Sequence, residues 1–311
     1  MQESSLLFSV FTPTYNREHT LRRLYDSLCL QDNTLFEWIV VDDGSSDNTA
    51  KLIKEFQSLS KFPIKYIYKE NGGKHTAHNA ALEYLRGELF LPIDSDDELT
   101  KDCLVNLKEI WHAIPTSNLN EYAGIIGNII QVHKGGFQEI SENEDIEGNF
   151  FDLILQKKIK GEKLHIIKSD LMKENPFPVK EGNTEYIIEG NVWLKVTKDK
   201  KIIYSSKFYR KYHLNTQGVE TMMAAGASVA HGSWGKALYC AEELKYINFS
   251  NLLHFIFFIK SSIKFNRYFF HSNLLFSQRA GVLERKIVRL LCLLTLPAGY
   301  LVSKYDYFLN K

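Results

Sequence analysis

The feature that most constrains this chain is an alternation between two hydrophobic periods. Over the first hundred residues, short apolar runs exchange with stretches of helical spacing. "LLFSVFT", "EWIVVD", "FPIKYIYKE" and "ELFLPID" read as strands, rich in branched and aromatic residues and bounded by turn formers. Between them, "HTLRRLYDSLCLQ" sets Leu21, Leu24, Tyr25 and Leu28 on one helical face. "TAKLIKEFQSL" follows a candidate N-cap at Asp47, and "KHTAHNAALEYLRG" is expected to close at Gly87. Strands joined through helices pair in parallel, because a crossover must return the chain to the same edge. The expected fold is therefore α/β, a mostly parallel sheet flanked by helices. Such sheets bind ligands at the C-terminal ends of their strands. "TPTYNR", "DDGSSDNT" and "DSDDE" all follow strand ends, and are expected to converge there.

After about residue 120 the pattern changes. "AGIIGNIIQVH" and "KLHIIKSDLM" read as strands, with "NFFDLILQKKI" a short helix between them. "EGNTEYIIEGNVWLKV" starts as a loop and turns helical near Asn191; "KIIYSS" and "FYRKYHL" read as two closing strands. The expected division is one α/β unit over residues 1–216, with halves about 1–120 and 121–216, then a helical region over 217–311.

Charge divides along the same line. From Lys245 to Lys311 there are ten Lys or Arg against two acids, Glu284 and Asp306, while residues 1–244 carry a net charge of −7. The basic residues alternate with bulky apolar ones and no nucleic-acid motif accompanies them, which favours an anionic membrane surface over nucleic acid. The longest apolar run there, Leu290 to Val302, is shorter than the about 20 residues a span needs. The N-terminal stretch lacks the basic region of a secretory signal. Cys29, Cys103, Cys240 and Cys292 are scattered without metal or redox spacing, as expected of a reducing compartment.

The acidic turn sets the chemistry. Asp94, Asp96, Asp97 and Glu98 crowd within five residues, and two carboxylates 4 Å apart repel by about 4 kcal/mol at an effective dielectric near 20. Such a cluster is solvated, partly protonated, or holds a cation. A calcium loop is excluded, because its required Gly and Glu positions hold Leu99 and Val105. Alternating carboxylates still present two hard oxygen ligands to Mg²⁺ or Mn²⁺, leaving room for phosphate oxygens. In "DDGSSDNT" a turn explains Gly44 and Asp47 but not the adjacent Asp42 and Asp43, which suit hydrogen bonds to a base or ribose. "NGGKHT" is no P-loop, since Tyr68 and His75 stand where Gly and Ser or Thr are required. Gly72, Gly73 and Lys74 could nevertheless approach a diphosphate from a helix start. His75, His78, His165 and His213 lack zinc spacing, and no Ser-His-Asp signature is present.

Taken in order, "FSVFTPTYNR", "IVVDDGSSDNT", "NGGKHTAHNAAL" and "GELFLPIDSDDEL" resemble the motifs of family-2 glycosyltransferases of the GT-A fold. The resemblance is specific over residues 6–99, weakens to about 215, and does not reach the C-terminal helices. It implies that Pro13, Thr14 and Tyr15 border the nucleotide base and that Asp42 and Asp43 contact base and ribose. Lys74, Asn79 and Ser95 complete the nucleotide-binding set. Asp94-Ser95-Asp96 resembles the family's Asp-any-Asp motif, with Asp96 the metal ligand, Asp94 supporting ribose or metal, and Asp97 assisting. Two departures stand out: His78 where many members have Arg, which would make a fixed charge titratable, and Ala81 where many have Gly.

The resemblance implies Mn²⁺- or Mg²⁺-dependent, inverting transfer of a hexose-type group from a nucleotide diphosphate sugar, by preference a UDP-sugar. The acceptor would be a hydroxyl of a glycan or lipid-linked oligosaccharide in bacterial surface-polysaccharide synthesis, at the cytoplasmic face of the membrane. Glu189 is the expected base, after the apolar "YII" and before a helix carrying Trp193. Glu181 and Glu185 are alternatives, and a plain helix-capping role is the competing reading of Glu189. Two other functions compete. One is a nucleotide-sugar-binding or scaffold protein without turnover. The other is a sugar nucleotidyltransferase, disfavoured because "TPTYNREHT" lacks a glycine-rich basic loop.

Overall fold

The computed structural model describes residues 6–133, 136–139, 144–156, 159, 161–180, 187–214, 232–246, 252–272, 282–283 and 285–309. The first half runs β1 (Phe8–Thr14), α1 (Leu21–Cys29), β2 (Phe36–Asp42), α2 (Thr49–Leu59), β3 (Ile64–Tyr68), α3 (Lys74–Leu82) and β4 (Leu89–Pro92). These four strands pair in the order β3-β2-β1-β4, all in parallel. Next come β5 (Glu98–Leu99), α4 (Cys103–His112), β6 (Tyr122–His133), β7 (Gly136–Glu139), β8 (Ile146–Asn149) and α5 (Phe150–Leu155). The unit closes with β9 (Leu164–Lys168), α6 (Ser169–Glu174), α7 (Gly190–Val196) and β10 (Lys201–His213). The second half extends the sheet as β4-β9-β6-β10-β5, with β9 antiparallel to both neighbours and β10 parallel to β6. The first half is parallel throughout, the second half combines both senses, and the 10-stranded sheet as a whole is mixed.

Strand periodicity builds the core on both faces. Along β2, Phe36, Trp38 and Val40 join one buried cluster with α1, α2 and α4, while Ile39 and Val41 join the other with α3 and α5 to α7. Glu37 alternates with them and is only 2 % exposed. Its carboxylate is satisfied by Ser9 Oγ at 2.8 Å and by Arg86 Nε at 2.6 Å. A charge is tolerated there because each oxygen is paired.

Several local readings change. Helix α3 ends at Leu82, before Gly87. Gly87 serves a close crossing of backbones instead. A Cβ there would lie 2.3 Å from the carbonyl carbon of Phe8, so only glycine lets this segment pass β1. "KIIYSS" and "FYRKYHL" are one strand, β10, kinked by register shifts around Phe208. The N-cap of α2 is Asn48, which makes no capping side-chain hydrogen bond; Asp47, one residue earlier, accepts from Thr49 N at 3.0 Å and from Glu18 N at 3.1 Å and so ties the loop to the helix start.

Among the described residues four helices follow: α8 (Ser233–Tyr246), α9 (Leu252–His271), α10 (Lys286–Leu294) and α11 (Leu296–Leu309). Ala237, Cys240, Leu244, Phe258 and Phe265 share one buried cluster with Trp193 and Phe151, so α8 and α9 cover the α5–α7 face of the sheet. None of the four cysteines forms a disulfide, and only Cys29 is exposed.

Candidate active site

Register brings the predicted segments together. Thr14 pairs with Asp42 across β1 and β2, and β4 ends beside them. Asn16, at φ 52°, staples the first two loops: its N–H donates to Ser45 Oγ at 2.8 Å and its Oδ1 accepts from Ser46 N at 2.8 Å. Asn is among the few side chains that tolerate this left-handed backbone. Pro13 is partly buried in β1, Thr14 Oγ1 is buried without a hydrogen-bond partner among the described residues, and Tyr15 is 50 % exposed at the rim.

Asp42 and Asp43 build the cleft more than they line it. Asp42 is fully buried, its Oδ1 accepting from Ser45 N at 2.7 Å and its Oδ2 from the Tyr66 hydroxyl at 2.7 Å. Asp43 accepts from Lys69 Nζ at 2.6 Å, Gly72 N at 3.0 Å and Gly73 N at 2.8 Å. Gly73 turns its N–H inward at φ 88°, which an L side chain resists. The carboxylates expected at base and ribose are thus engaged in fixing the loops after β2 and β3.

The acidic turn meets the protein's own cations. Lys74 Nζ, from the first residue of α3, lies 2.6 Å from Asp94 Oδ1 and 2.7 Å from Glu189 Oε1. Arg210 of β10 lies 3.6 Å from Asp94 and 2.6 Å from Asp97. The second contact is an ion pair whose N–H is not aimed along it, so it lacks a well-formed hydrogen bond. Burial pushes the Asp94 carboxyl up, but Lys74 and Arg210 outweigh it and hold the group down to about 2. Asp97 is fully buried, so its place is structural rather than ligand-facing. Glu98 bonds His213 Nε2 at 2.9 Å, and Ser95 is buried.

The Asp96 carboxylate makes no ion pair or hydrogen bond among the described residues and is partly exposed. Its backbone oxygen, by contrast, accepts from Arg23. Asp96 and Asp94 therefore suit a hard divalent cation, Mn²⁺ or Mg²⁺. Among the described residues no group of three His, Cys, Asp or Glu could hold a metal alone, so donor oxygens would complete the shell.

Glu189 stands at the N-cap of α7 but makes no capping hydrogen bond; its carboxylate points to Lys74. The capping reading is therefore not realised. Glu181 and Glu185 lie outside the described residues. Asn79 and His78 also have partners inside the protein. Asn79 donates to Phe177 O at 2.9 Å and accepts from Phe177 N at 2.8 Å, holding the loop after α6. His78 supplies no charge: it packs against Phe11, Phe90 and Phe177 at 4.6 to 5.3 Å, and burial pushes its pKa down to about 3. Sequence reasoning missed Arg210 and Glu162, which lies within electrostatic reach of Arg210, Glu189, Asp94 and Lys74. An arginine inside an otherwise half-buried strand was the available signal for Arg210.

Fold and cleft are those of a GT-A glycosyltransferase. The chain belongs to glycosyl transferase family 2, whose model matches residues 9–166. It is 37 % identical over 99 residues to the poly(ribitol-phosphate) beta-N-acetylglucosaminyltransferase TarS of Staphylococcus aureus, covering 31 % of this chain and 17 % of that one. The first relatives are thus matched over a small part of their length. It is 29 % identical over 227 residues to the GalNAc(5)-diNAcBac-PP-undecaprenol beta-1,3-glucosyltransferase of Campylobacter jejuni, covering 70 % of this chain and 68 % of that one. The crystal structure of TarS 1–349 with UDP-GlcNAc superposes with a TM-score of 0.62 at 20 % identity, over 98 % of this chain and 93 % of that one. The mannosyltransferase PcManGT of Pyrobaculum calidifontis, with GDP-Man and Mn²⁺, superposes at 0.55 and 17 % identity, over 96 % and 87 %.

Proposed function

We propose that this chain moves a hexose-type sugar from a nucleotide diphosphate sugar, by preference a UDP-sugar, to a hydroxyl of a glycan or lipid-linked oligosaccharide, inverting the anomeric centre. One observation carries the reading: Lys74 bridges Asp94 of the donor-side turn and Glu189 of the acceptor side. A cation for the leaving group and a carboxylate base are the two groups an inverting displacement requires, and the donor sugar would have to enter between them. Glu189 takes the acceptor hydroxyl's proton while that oxygen attacks the anomeric carbon. The bond to the diphosphate oxygen breaks, and its electron pair leaves with the nucleotide. The transition state has oxocarbenium character. Lys74 and Arg210 offset the negative charge growing on the diphosphate. Asp96 and Asp94 would hold Mn²⁺ or Mg²⁺, which would supply further neutralisation of the diphosphate. The exposure of Tyr15 beside Pro13 and Thr14 supports its stacking on the base.

The name of the Campylobacter jejuni relative supports a polyprenyl-diphosphate-linked acceptor, and the Mn²⁺ in PcManGT supports the metal. Such an acceptor sits at the cytoplasmic face of a bacterial membrane, in polysaccharide synthesis, with the enzyme a peripheral protein there. The competing reading is a nucleotide-sugar-binding protein without turnover. Nucleotide release from a panel of UDP-, GDP-, CDP- and dTDP-sugars with Mn²⁺ separates them. Release from one donor by the wild type, abolished in Asp96→Ala, is the expected result. Tight binding of a nucleotide with no release from any donor and acceptor would favour the binding protein.

A further inference from the structure

The last two helices are packed inside out. Toward α9 they turn small and polar groups: Cys292, Thr295, Gly299, Ser303 and Asp306. Asn266 Nδ2 donates to Cys292 O at 3.0 Å and to Thr295 Oγ1 at 2.9 Å. Arg267 Nε donates to Asp306 Oδ2 at 2.7 Å, and a Cβ on Gly299 would lie 2.3 Å from that of Asn266. Toward the outside they turn Ile287, Leu290, Leu293, Leu294, Leu301 and Tyr305, with Leu290 at 64 %, Leu294 at 75 % and Leu301 at 68 % exposure. A water-facing helix pair shows the reverse order, apolar inward and polar outward. Small and polar residues between helices, with leucines facing away, is the arrangement that suits lipid. The start of α9 adds Leu252, Leu253, Phe255 and Ile256, all exposed.

Charge decides the occupant. Among the described residues from Leu252 onward the basic groups are Lys260, Lys264, Arg267, Arg285, Lys286, Arg289 and Lys304, and the one acid is Asp306, 4 % exposed and paired with Arg267. A second copy would set like charges against each other across a two-fold axis; an anionic bilayer would meet them with complementary charge. Depth follows from length. Helix α10 has nine residues and α11 fourteen, bent by 59° at Thr295. At 1.5 Å per residue these are about 14 and 21 Å long, against about 30 Å of hydrocarbon. Among the described residues no single helix is long and apolar enough to cross a membrane; α10 and α11 together are, by length and composition, and it is the 59° bend between them that favours one leaflet over a span.

We infer that the α10–α11 elbow is a wedge that lies in one leaflet of an anionic membrane, its leucines in the acyl region and its lysines and arginines at the headgroups. This deepens the proposed lipid-linked acceptor, while the surface itself is argued from its own residues. The test is flotation of the full chain with vesicles of phosphatidylcholine alone or with phosphatidylglycerol, beside the double variant Leu290→Glu and Leu294→Glu and the variant Lys286→Glu. The wild type is expected to float with the anionic vesicles, the double variant to bind at least tenfold more weakly, and Lys286→Glu to lose part of the anionic preference. UDP affinity, measured on the same samples, should be unchanged in both. Equal flotation of wild type and double variant would overturn the wedge. So would a wild type that stays with neither vesicle and forms dimers that the double variant abolishes. UDP binding without flotation contradicts only the wedge, whereas flotation without binding of any nucleotide contradicts the transferase reading.

Discussion

Lys74 Nζ lies 2.7 Å from Glu189 Oε1, tying the start of α3 to the N-cap position of α7. The pair places Glu189 beside the charge that would hold the leaving diphosphate. Glu189→Gln keeps the shape and can still accept from Lys74, but cannot take a proton. Its kcat should fall by about 100- to 10,000-fold, the range for a lost general base, with nucleotide affinity retained. A near-normal kcat would remove Glu189 from the mechanism.

Lys74 itself is the second test. Lys74→Met should weaken UDP by about tenfold or more, since a hydrogen bond to a charged group contributes about 1.5–3 kcal/mol. UMP, which lacks the second phosphate, should lose less. Equal losses for UDP and UMP would show that Lys74 does not read the diphosphate.

His78 makes a pH prediction. Its folded pKa, about 3, lies below the ordinary value near 6.5 because burial among aromatic rings disfavours the charged ring. A depressed histidine contributes stability above the unfolded pKa and loses it as pH falls toward the folded one. From pH 6.5 to 5 that amounts to about 2 kcal/mol from this residue. Denaturant titrations should find His78→Phe less acid-sensitive by about this amount. Identical pH dependence in the two proteins would contradict a neutral, caged His78.

Asn79 separates positioning from binding. Asn79→Ala strands the N–H and C=O of Phe177, at a cost of about 1–3 kcal/mol. Thermal melting should drop while UDP affinity holds. A large loss of UDP affinity with an unchanged melt would assign Asn79 to the nucleotide site.

How far residues announce their place depends on whether the signal is local. The parallel order β3-β2-β1-β4 follows from hydrophobic period and helical crossovers, both visible within a dozen residues. The convergence of Asp94, Lys74 and Glu189 needed the topology as well, because β9 and β10 bring the acceptor side to the donor turn through pairings between distant segments. Asp42 and Asp43 look alike in sequence whether they face a ligand or a loop; their bonds to Tyr66, Ser45, Lys69 and the two glycines after β3 become visible only in the fold. The crowding of acids at 94–98 pointed to a cation, and Lys74 and Arg210 are the cations the chain itself provides. Of the three aspartates only Asp96 keeps its carboxylate without an ion pair or hydrogen bond among the described residues, its backbone oxygen being the atom that accepts from Arg23, a distinction that spacing does not carry.

Asp96 is therefore where the central claim is most exposed. Calorimetry of UDP, GDP, CDP and dTDP, with and without Mn²⁺, should show one nucleotide binding in a metal-dependent manner to the wild type, and that dependence vanishing in Asp96→Ala. Binding of no nucleotide with Mn²⁺, or equal metal-dependent binding by Asp96→Ala, would contradict a metal-assisted donor site at the end of β4.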